Sequence, residues 1–159
     1  MSKPIFEEEQ RFRQWWIWLV LLFILATILF KGFETDMGGL TTPFVIIASV
    51  VLLLFLANLK TRIDERGIHI RFFPFHFSFR TYEWDKLYSA EIKKYSPIVD
   101  YGGWGVRISL TGNGKAFNVS GNKGIYLVTS DGKKRMIGTK KEVEAQEVLK
   151  QYISPSKNE

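Results

Sequence analysis

Cysteine is absent from this 159-residue chain. Disulfides, thiolate metal sites and cysteine nucleophiles are excluded by that alone. The absence fits a reducing compartment. Histidine is nearly absent: His69 and His76 are the only two. Both fall on the polar side of expected strands, and two imidazoles without a nearby acid make a poor metal site. Asp100, Ser120 and Asp131 stand apart in sequence with no obvious base, so no catalytic residue is assigned. No segment has the spacing of a phosphate-binding loop, because no glycine-rich stretch runs into Lys-Ser or Lys-Thr. Charge is missing from two stretches, Trp15 to Phe30 and Pro43 to Leu59. Spans without an ionisable residue are poor candidates for a transport path.

Those two uncharged stretches are the main feature of the chain. The first, WWIWLVLLFILATILF, covers 16 residues, or about 24 Å as a helix, a little short of a hydrocarbon core of about 30 Å. Phe12 and Phe33 can extend it. Trp15, Trp16 and Trp18 cluster at one end, where an interfacial aromatic belt belongs. A signal peptide fits less well, because KGFETDMGG offers no small-residue cleavage site. The second stretch has no polar face, unlike a surface helix of a soluble protein. Lys31 to Thr42 link the two, with Gly32, Gly38 and Gly39 as breakers. The expectation is a transmembrane hairpin with helices at about 12–33 and 40–59, within an N-terminal region 1–60. Glu7/Arg11 and Glu9/Arg13 are i,i+4 pairs, which would start the first helix before the bilayer. Lys3, Arg11 and Arg13 flank one end and Lys60, Arg62, Arg66 and Arg71 the other, against Lys31 alone in the loop. That bias puts both termini in the cytoplasm, for a multi-pass protein of the cell (inner) membrane.

From Thr61 the periodicity becomes alternating. Ile68, Ile70 and Phe72 alternate with His69 and Arg71, and Phe75, Phe77 and Phe79 with His76, Ser78 and Arg80. Val106, Ile108 and Leu110 alternate with Arg107, Ser109 and Thr111. These patterns predict half-buried strands, about seven in all. Turn signals separate them at Asp64–Gly67, Phe73-Pro74, Thr111–Gly114, Gly121–Gly124 and Ser130–Lys133. Asp131-Gly132 is a two-residue hairpin signal. Thr139 to Glu142 fits a capping box. Ala145, Val148, Leu149, Tyr152 and Ile153 then mark the apolar face of a C-terminal helix, stopped at Ser154-Pro155. Strands closed by one helix predict a curved sheet or barrel over 61–153, with 154–159 as a tail.

Two apolar helices, then Thr61-Arg62-Ile63-Asp64-Glu65-Arg66-Gly67-Ile68 and Tyr82-Glu83-Trp84-Asp85-Lys86-Leu87, resemble the membrane-anchored bacterial pleckstrin-homology-like (PH-like) domain proteins. Lys94 to Ile98, Asp100 to Arg107 and Asn118 to Gly124 are similar to uncharacterised membrane proteins of that type. The resemblance implies a hairpin followed by a mainly-β PH-like barrel with a capping α-helix, and a location. It implies no reaction.

Three sets of residues are candidates. Tyr101, Gly102, Gly103 and Trp104, with Asn118, Ser120, Asn122 and Lys123, offer glycine-permitted close approach, aromatic stacking and amide and ammonium donors for a small ligand. The competing account is two strand-connecting loops with Trp104 plugging a barrel end. Residues 60–159 hold 18 of the 22 Lys/Arg and 11 of the 16 acids. Within them Lys93, Lys94, Lys133, Lys134, Arg135, Lys140 and Lys141 can meet anionic lipid head groups or an acidic partner. The alternative is a solvated surface. The phenylalanines around Pro74 are core, or else dip into the membrane or grip a partner. Asn118-Val119-Ser120 matches a glycosylation sequon that a cytoplasmic domain never presents to the machinery.

These features favour a non-enzymatic scaffold without a cofactor. It would contact the bilayer and a protein partner or a homo-oligomer, and no nucleic acid. A ligand sensor or enzyme using the loops 101–105 and 120–124, or an accessory subunit of a membrane complex, are the alternatives.

Overall fold

The computed structural model describes residues 5–34, 41–109 and 112–153. The expected breakers Gly38 and Gly39, the pair Leu110-Thr111 and the stop at Ser154-Pro155 lie outside them. The chain divides into two units. One is the apolar segment Phe12–Ala57, and the other joins Met1–Arg11 to Asn58–Glu159.

The apolar unit holds α1 (Trp15–Glu34) and α2 (Thr41–Leu56). α1 is long and apolar enough to cross a membrane, and α2 is a shorter apolar helix of 16 residues. Trp15, Phe23, Phe30 and Phe55 are exposed, and α2 buries nothing. The hydroxyls of Thr27 and Ser49 donate back to Ile24 O and Val45 O. That satisfies them without water, as an apolar medium requires.

The other unit is mainly β, with nine strands among the described residues in two sheets. The first sheet has the order β1-β2-β3-β4, all antiparallel, from β1 (Phe6–Arg11), β2 (Asn58–Asp64), β3 (Gly67–Phe73) and β4 (Arg80–Glu83). The second has the order β5-β8-β9-β7-β6. It comprises β5 (Leu87–Lys94), β6 (Gly105–Ile108), β7 (Lys115–Asn118), β8 (Lys123–Thr129) and β9 (Lys134–Gly138). β7 and β9 run parallel, and the other pairs are antiparallel. Strict alternation on β2 turns Leu59, Thr61 and Ile63 inward. Ile68, Ile70 and Phe72 join them from β3, and Phe117, Ile125, Leu127 and Ile137 from the second sheet, all nearly inaccessible. α3 (Pro97–Tyr101) is a short helix before β6. α4 (Glu142–Tyr152) ends the unit and buries Ala145, Val148 and Leu149, as the sequence pattern predicts.

Several expectations change. Glu7 to Arg11 are not the start of a helix. They form strand β1, whose register with β2 runs from Phe6↔Ile63 to Arg11↔Asn58. Glu7 pairs with Arg62, and Glu9 with Lys60 and Arg11. The cross-strand pairs with Arg62 and Lys60, and the pair of Glu9 and Arg11 along β1, replace the i,i+4 pairs. The residues before the first apolar helix therefore belong to the β unit, and β2 begins at Asn58, inside the expected second helix. The run Phe75, Phe77, Phe79 is not a strand but the loop between β3 and β4. The 129–133 hairpin forms, but its loop has three residues. Thr129 N donates to Lys133 O across Ser130, Asp131 and Gly132, with Gly132 at φ 78°, a geometry glycine adopts without strain. The capping box does not form. α4 starts at Glu142 after Lys141, whose side chain does not cap, because the Thr139 hydroxyl is committed to Glu8 and to Lys141 N.

Candidate functional site

The structure brings the two glycine-bearing loops together. Gly105 is in register with Asn118, and the Gly105 N–H donates to Asn118 Oδ1 at 2.9 Å. Tyr101 packs edge-on against Tyr95, with ring centroids 5.8 Å apart, and its hydroxyl donates to Asn113 O at 3.2 Å. Tyr95 N donates to Asn122 O at 2.9 Å. The segment 101–105 and the turn 119–122 therefore meet around two buried tyrosines, Tyr95 and Tyr101.

α3 is built by its ends. The Ser96 hydroxyl accepts from Val99 N, Pro97 sits in the first turn, and Asp100 Oδ2 accepts from Ser96 N at 2.7 Å. This is reciprocal N-terminal capping with proline where no N–H is needed. At the other end Gly102 takes φ 72° and closes onto Ile98 O, while Gly103 N closes onto Pro97 O. The glycines thus end a helix.

An open groove of about 580 Å³ adjoins α3, lined by Lys94, Tyr95, Ser96, Pro97, Asp100 and Asn122. Ser96, Asp100 and Lys94 were not expected there as a ligand set. The spacing Ser96-Pro97-x-x-Asp100 is the sequence signal that foretells this capped helix. Asn118 and Ser120 do not line the groove; Asn118 lies in the core and Ser120 is half-buried. Asn118 is fully buried, and Asn118 Nδ2, Ser120 Oγ and the Tyr95 hydroxyl make no hydrogen bond. Burial pushes the Tyr95 phenol up, offset in part by the nearby Asn118 amide. Geometry closes no hydrogen bond between the two. Burial, with Tyr126, Asp100 and Tyr95 adding to it, pushes Tyr101 up to about 12, so both phenols stay protonated at neutral pH. Lys123 does not line the groove and is paired with Glu142. Trp104 is half-buried, and its carbonyl accepts from Arg107 Nε at 3.0 Å.

The basic residues separate into two groups. Lys93 and Lys94 pair with Gly124 and Lys123 at the start of β8, and Gly124 pairs with Gly138 just before Lys140 and Lys141. Lys133, Lys134 and Arg135 lie at the other end of β8, opposite Val128 and Leu127. The separation is about five residues of strand, or about 17 Å. Lys93 lies over the Tyr126 ring, Lys133 pairs with Asp131 and Lys141 with Glu144. Trp15 and Trp16 are exposed at the start of α1, with Trp18 one turn on.

His69 does have an acid nearby. Its Nε2 lies 2.8 Å from Asp64 Oδ1 and its Nδ1 2.8 Å from Thr81 Oγ1. The expectation of an isolated imidazole is corrected by the β2–β3 turn, which folds Asp64 back. No group of three or more metal-binding side chains occurs among the described residues.

These features define a two-sheet β domain interrupted near its N-terminus by an apolar helical segment. Compared with protein-family models, curated proteins and solved structures, the chain matches none.

Proposed function

We propose that the protein is a two-pass membrane protein carrying a PH-like, non-enzymatic scaffold domain in the cytoplasm. The observation that carries this reading is the pairing of β1 with β2. Arg11 and Asn58 are cross-strand neighbours, and everything between them is the apolar unit. A segment that leaves a sheet and returns to the adjacent strand brings both of its ends to one side of a bilayer. The Lys/Arg bias makes that side cytoplasmic. α2 alone covers about 24 Å, and Ala57 at its C-terminal end helps it across.

Support for scaffolding comes from the edge of the second sheet. β6 is an outer strand, and Ile108 on it is exposed, as are Ile98 and Val99 on α3. The Ser109 hydroxyl, just past β6, donates to Asp100 O at 2.8 Å and ties that strand end to α3. An open strand edge beside apolar side chains suits a protein partner that adds a strand. A reporter active only outside the cytoplasm, fused after Glu159, stays silent on this reading. A clear signal overturns the topology.

One observation favours a second reading, a small-ligand sensor. The groove beside α3 is lined in part by Tyr95, whose buried hydroxyl makes no hydrogen bond. Stabilisation by a metabolite in a thermal-shift screen, abolished by Asn122→Ala, would select it over the scaffold.

A further inference from the structure

Three points of the chain line up at one end of the first sheet. Arg11, Asn58 and Phe73 are cross-strand neighbours on β1, β2 and β3. From Arg11 the chain reaches Trp15 of α1 in four residues, at most about 14 Å of contour. Leu56, the last residue of α2, precedes Asn58 by two residues, at most about 7 Å. Phe73 leads into the loop to Arg80. Neighbouring strands lie about 4.8 Å apart, so this loop starts beside Asn58, the residue at which the chain re-enters the sheet.

The loop is aromatic and uncovered. Phe77 is 78% exposed and Phe75 56%. They are held in place, since Phe77 packs edge-on against Phe73 and Phe75 tilts against Phe72. Phe79 lies under the guanidinium groups of Arg62 and Arg71, at 4.8 and 5.3 Å. The base of the loop is basic. The His76 ring packs on Phe117 of β7, centroids 5.5 Å apart. Lys115 lies two residues before Phe117, in register with Arg135 of β9. The charges of Arg80 and Lys115 both reach His76. Among the described residues no carboxylate forms an ion pair with Arg80, Lys115 or Arg135. Exposed aromatics rimmed by cations match the boundary between head groups and acyl chains of an anionic leaflet.

We infer that the β3–β4 loop is a third membrane contact, placing Phe75 and Phe77 in the head-group boundary of the leaflet that α1 and α2 leave, with Arg80, Lys115 and Arg135 against anionic lipid. This rests on the reading that both helices span the bilayer. It assigns the Lys133–Arg135 end of the second sheet, rather than the Lys93–Lys94 end, to the lipid surface.

The cysteine-free chain allows clean single-site labelling. A spin label at Phe23→Cys, Glu65→Cys or Phe77→Cys is introduced into the full chain in nanodiscs containing anionic lipid. Position 23 lies within α1. Position 65 sits in the β2–β3 turn, about six residues of strand from the Arg11 row and so about 20 Å from it. The expected result is collision with a water-soluble nickel chelate at least about fivefold slower at 77 than at 65, with oxygen access at 77 approaching that at 23. Water access at 77 equal to that at 65, with 23 protected, overturns the loop contact and leaves the span standing. Water access at 23 overturns the span and the loop contact together. Shielding of 77 from both chelate and oxygen means protein covers it, and also overturns the proposal. Protection at 77 should weaken in neutral nanodiscs, and equal protection there removes the basic rim.

Discussion

His76 shows how one side chain carries both packing and charge. Its ring rests on Phe117 and is half-buried. Burial first, then the charges of Arg80 and Lys115, hold its pKa below the usual 6.5. A histidine with a depressed folded pKa is favoured neutral in the fold. Its contribution is complete above 6.5, where it is neutral folded or unfolded. It is lost as pH falls from there toward the folded pKa, because the unfolded chain takes the proton first. The depressed carboxylates, Glu9, Glu83 and Asp131, act lower, beneath 4.5, 4.5 and 3.8. Thermal unfolding should therefore lose midpoint temperature as pH drops from 7 toward 5.5. Part of that loss should vanish in His76→Phe, which keeps the ring contact. Parallel curves for the two proteins would show that His76 is not the titrating group. The sequence placed His76 on the polar side of a strand. It could not show Phe117, which lies 41 positions later on another sheet.

The element least legible in the sequence is β1. Phe6-Glu7-Glu8-Glu9-Gln10-Arg11 reads as a polar helical turn because its inward positions, Glu8 and Gln10, are polar. The hydrogen bonds that offset their burial come from residues about 130 positions away, though Gln10 Oε1 is left without a partner. Glu8 accepts from the Thr139 hydroxyl and from Lys140 N, and Gln10 Nε2 donates to Gly138 O. Local periodicity carries no trace of such partners. β3, by contrast, alternates Ile68, Ile70 and Phe72 with polar residues and was legible, whereas the start of β2 at Asn58 and Leu59 was absorbed into the apolar run before it. The phenylalanine loop also alternates, but its outer residues face no second sheet, so period alone misplaced it. The two faces of β1 make a clean comparison. Glu8→Ala strands the buried Thr139 hydroxyl, at about 1–3 kcal/mol, and also frees the part-buried Lys140 amide. Glu7→Ala loses only a half-exposed pair with Arg62, worth about 0–1 kcal/mol. Denaturant midpoints of the two variants in detergent should differ in that order. Equal losses would mean that β1 is not pinned to the β9–α4 connection. At the candidate site, Asn118 was grouped with 101–104 as a ligand set, and what the structure shows between them is the backbone-to-side-chain bond from Gly105 N to Asn118 Oδ1. Ser96 and Asp100 were missed because their role is reciprocal capping, which shows only when both ends are read together.

At the scale of the whole molecule, the β unit is discontinuous in sequence and contiguous in space. β1 covers the open side of β2 with six register pairs. The segment from Thr139 through α4 runs from the Glu8–Thr139 contact to the stacking of Tyr152 on Trp84, centroids 5.0 Å apart at 8°. Trp84 in turn donates to Asp64 O at 3.0 Å. Cutting the chain at Thr61, where alternation first becomes visible, removes β1 and the start of β2. It exposes the inner face of β3, including Phe72, and strands the Thr139 hydroxyl and Lys140 N. The cost includes several buried apolar side chains at about 1.5–3 kcal/mol each, comparable to the 5–15 kcal/mol total stability of a domain. The fragment 61–159 should therefore aggregate or remain without a cooperative melt. A chain in which residues 12–57 are replaced by a short Gly-Ser linker should behave differently. Arg11 and Asn58 are already cross-strand neighbours, so a turn of about four residues closes the hairpin at small entropic cost. That protein should be soluble, with dispersed amide resonances and one sharp unfolding transition. Cooperative folding of 61–159 alone would show that β1 is an accessory edge rather than part of the fold. Failure of the linked version would show that the helices themselves hold β1 in place.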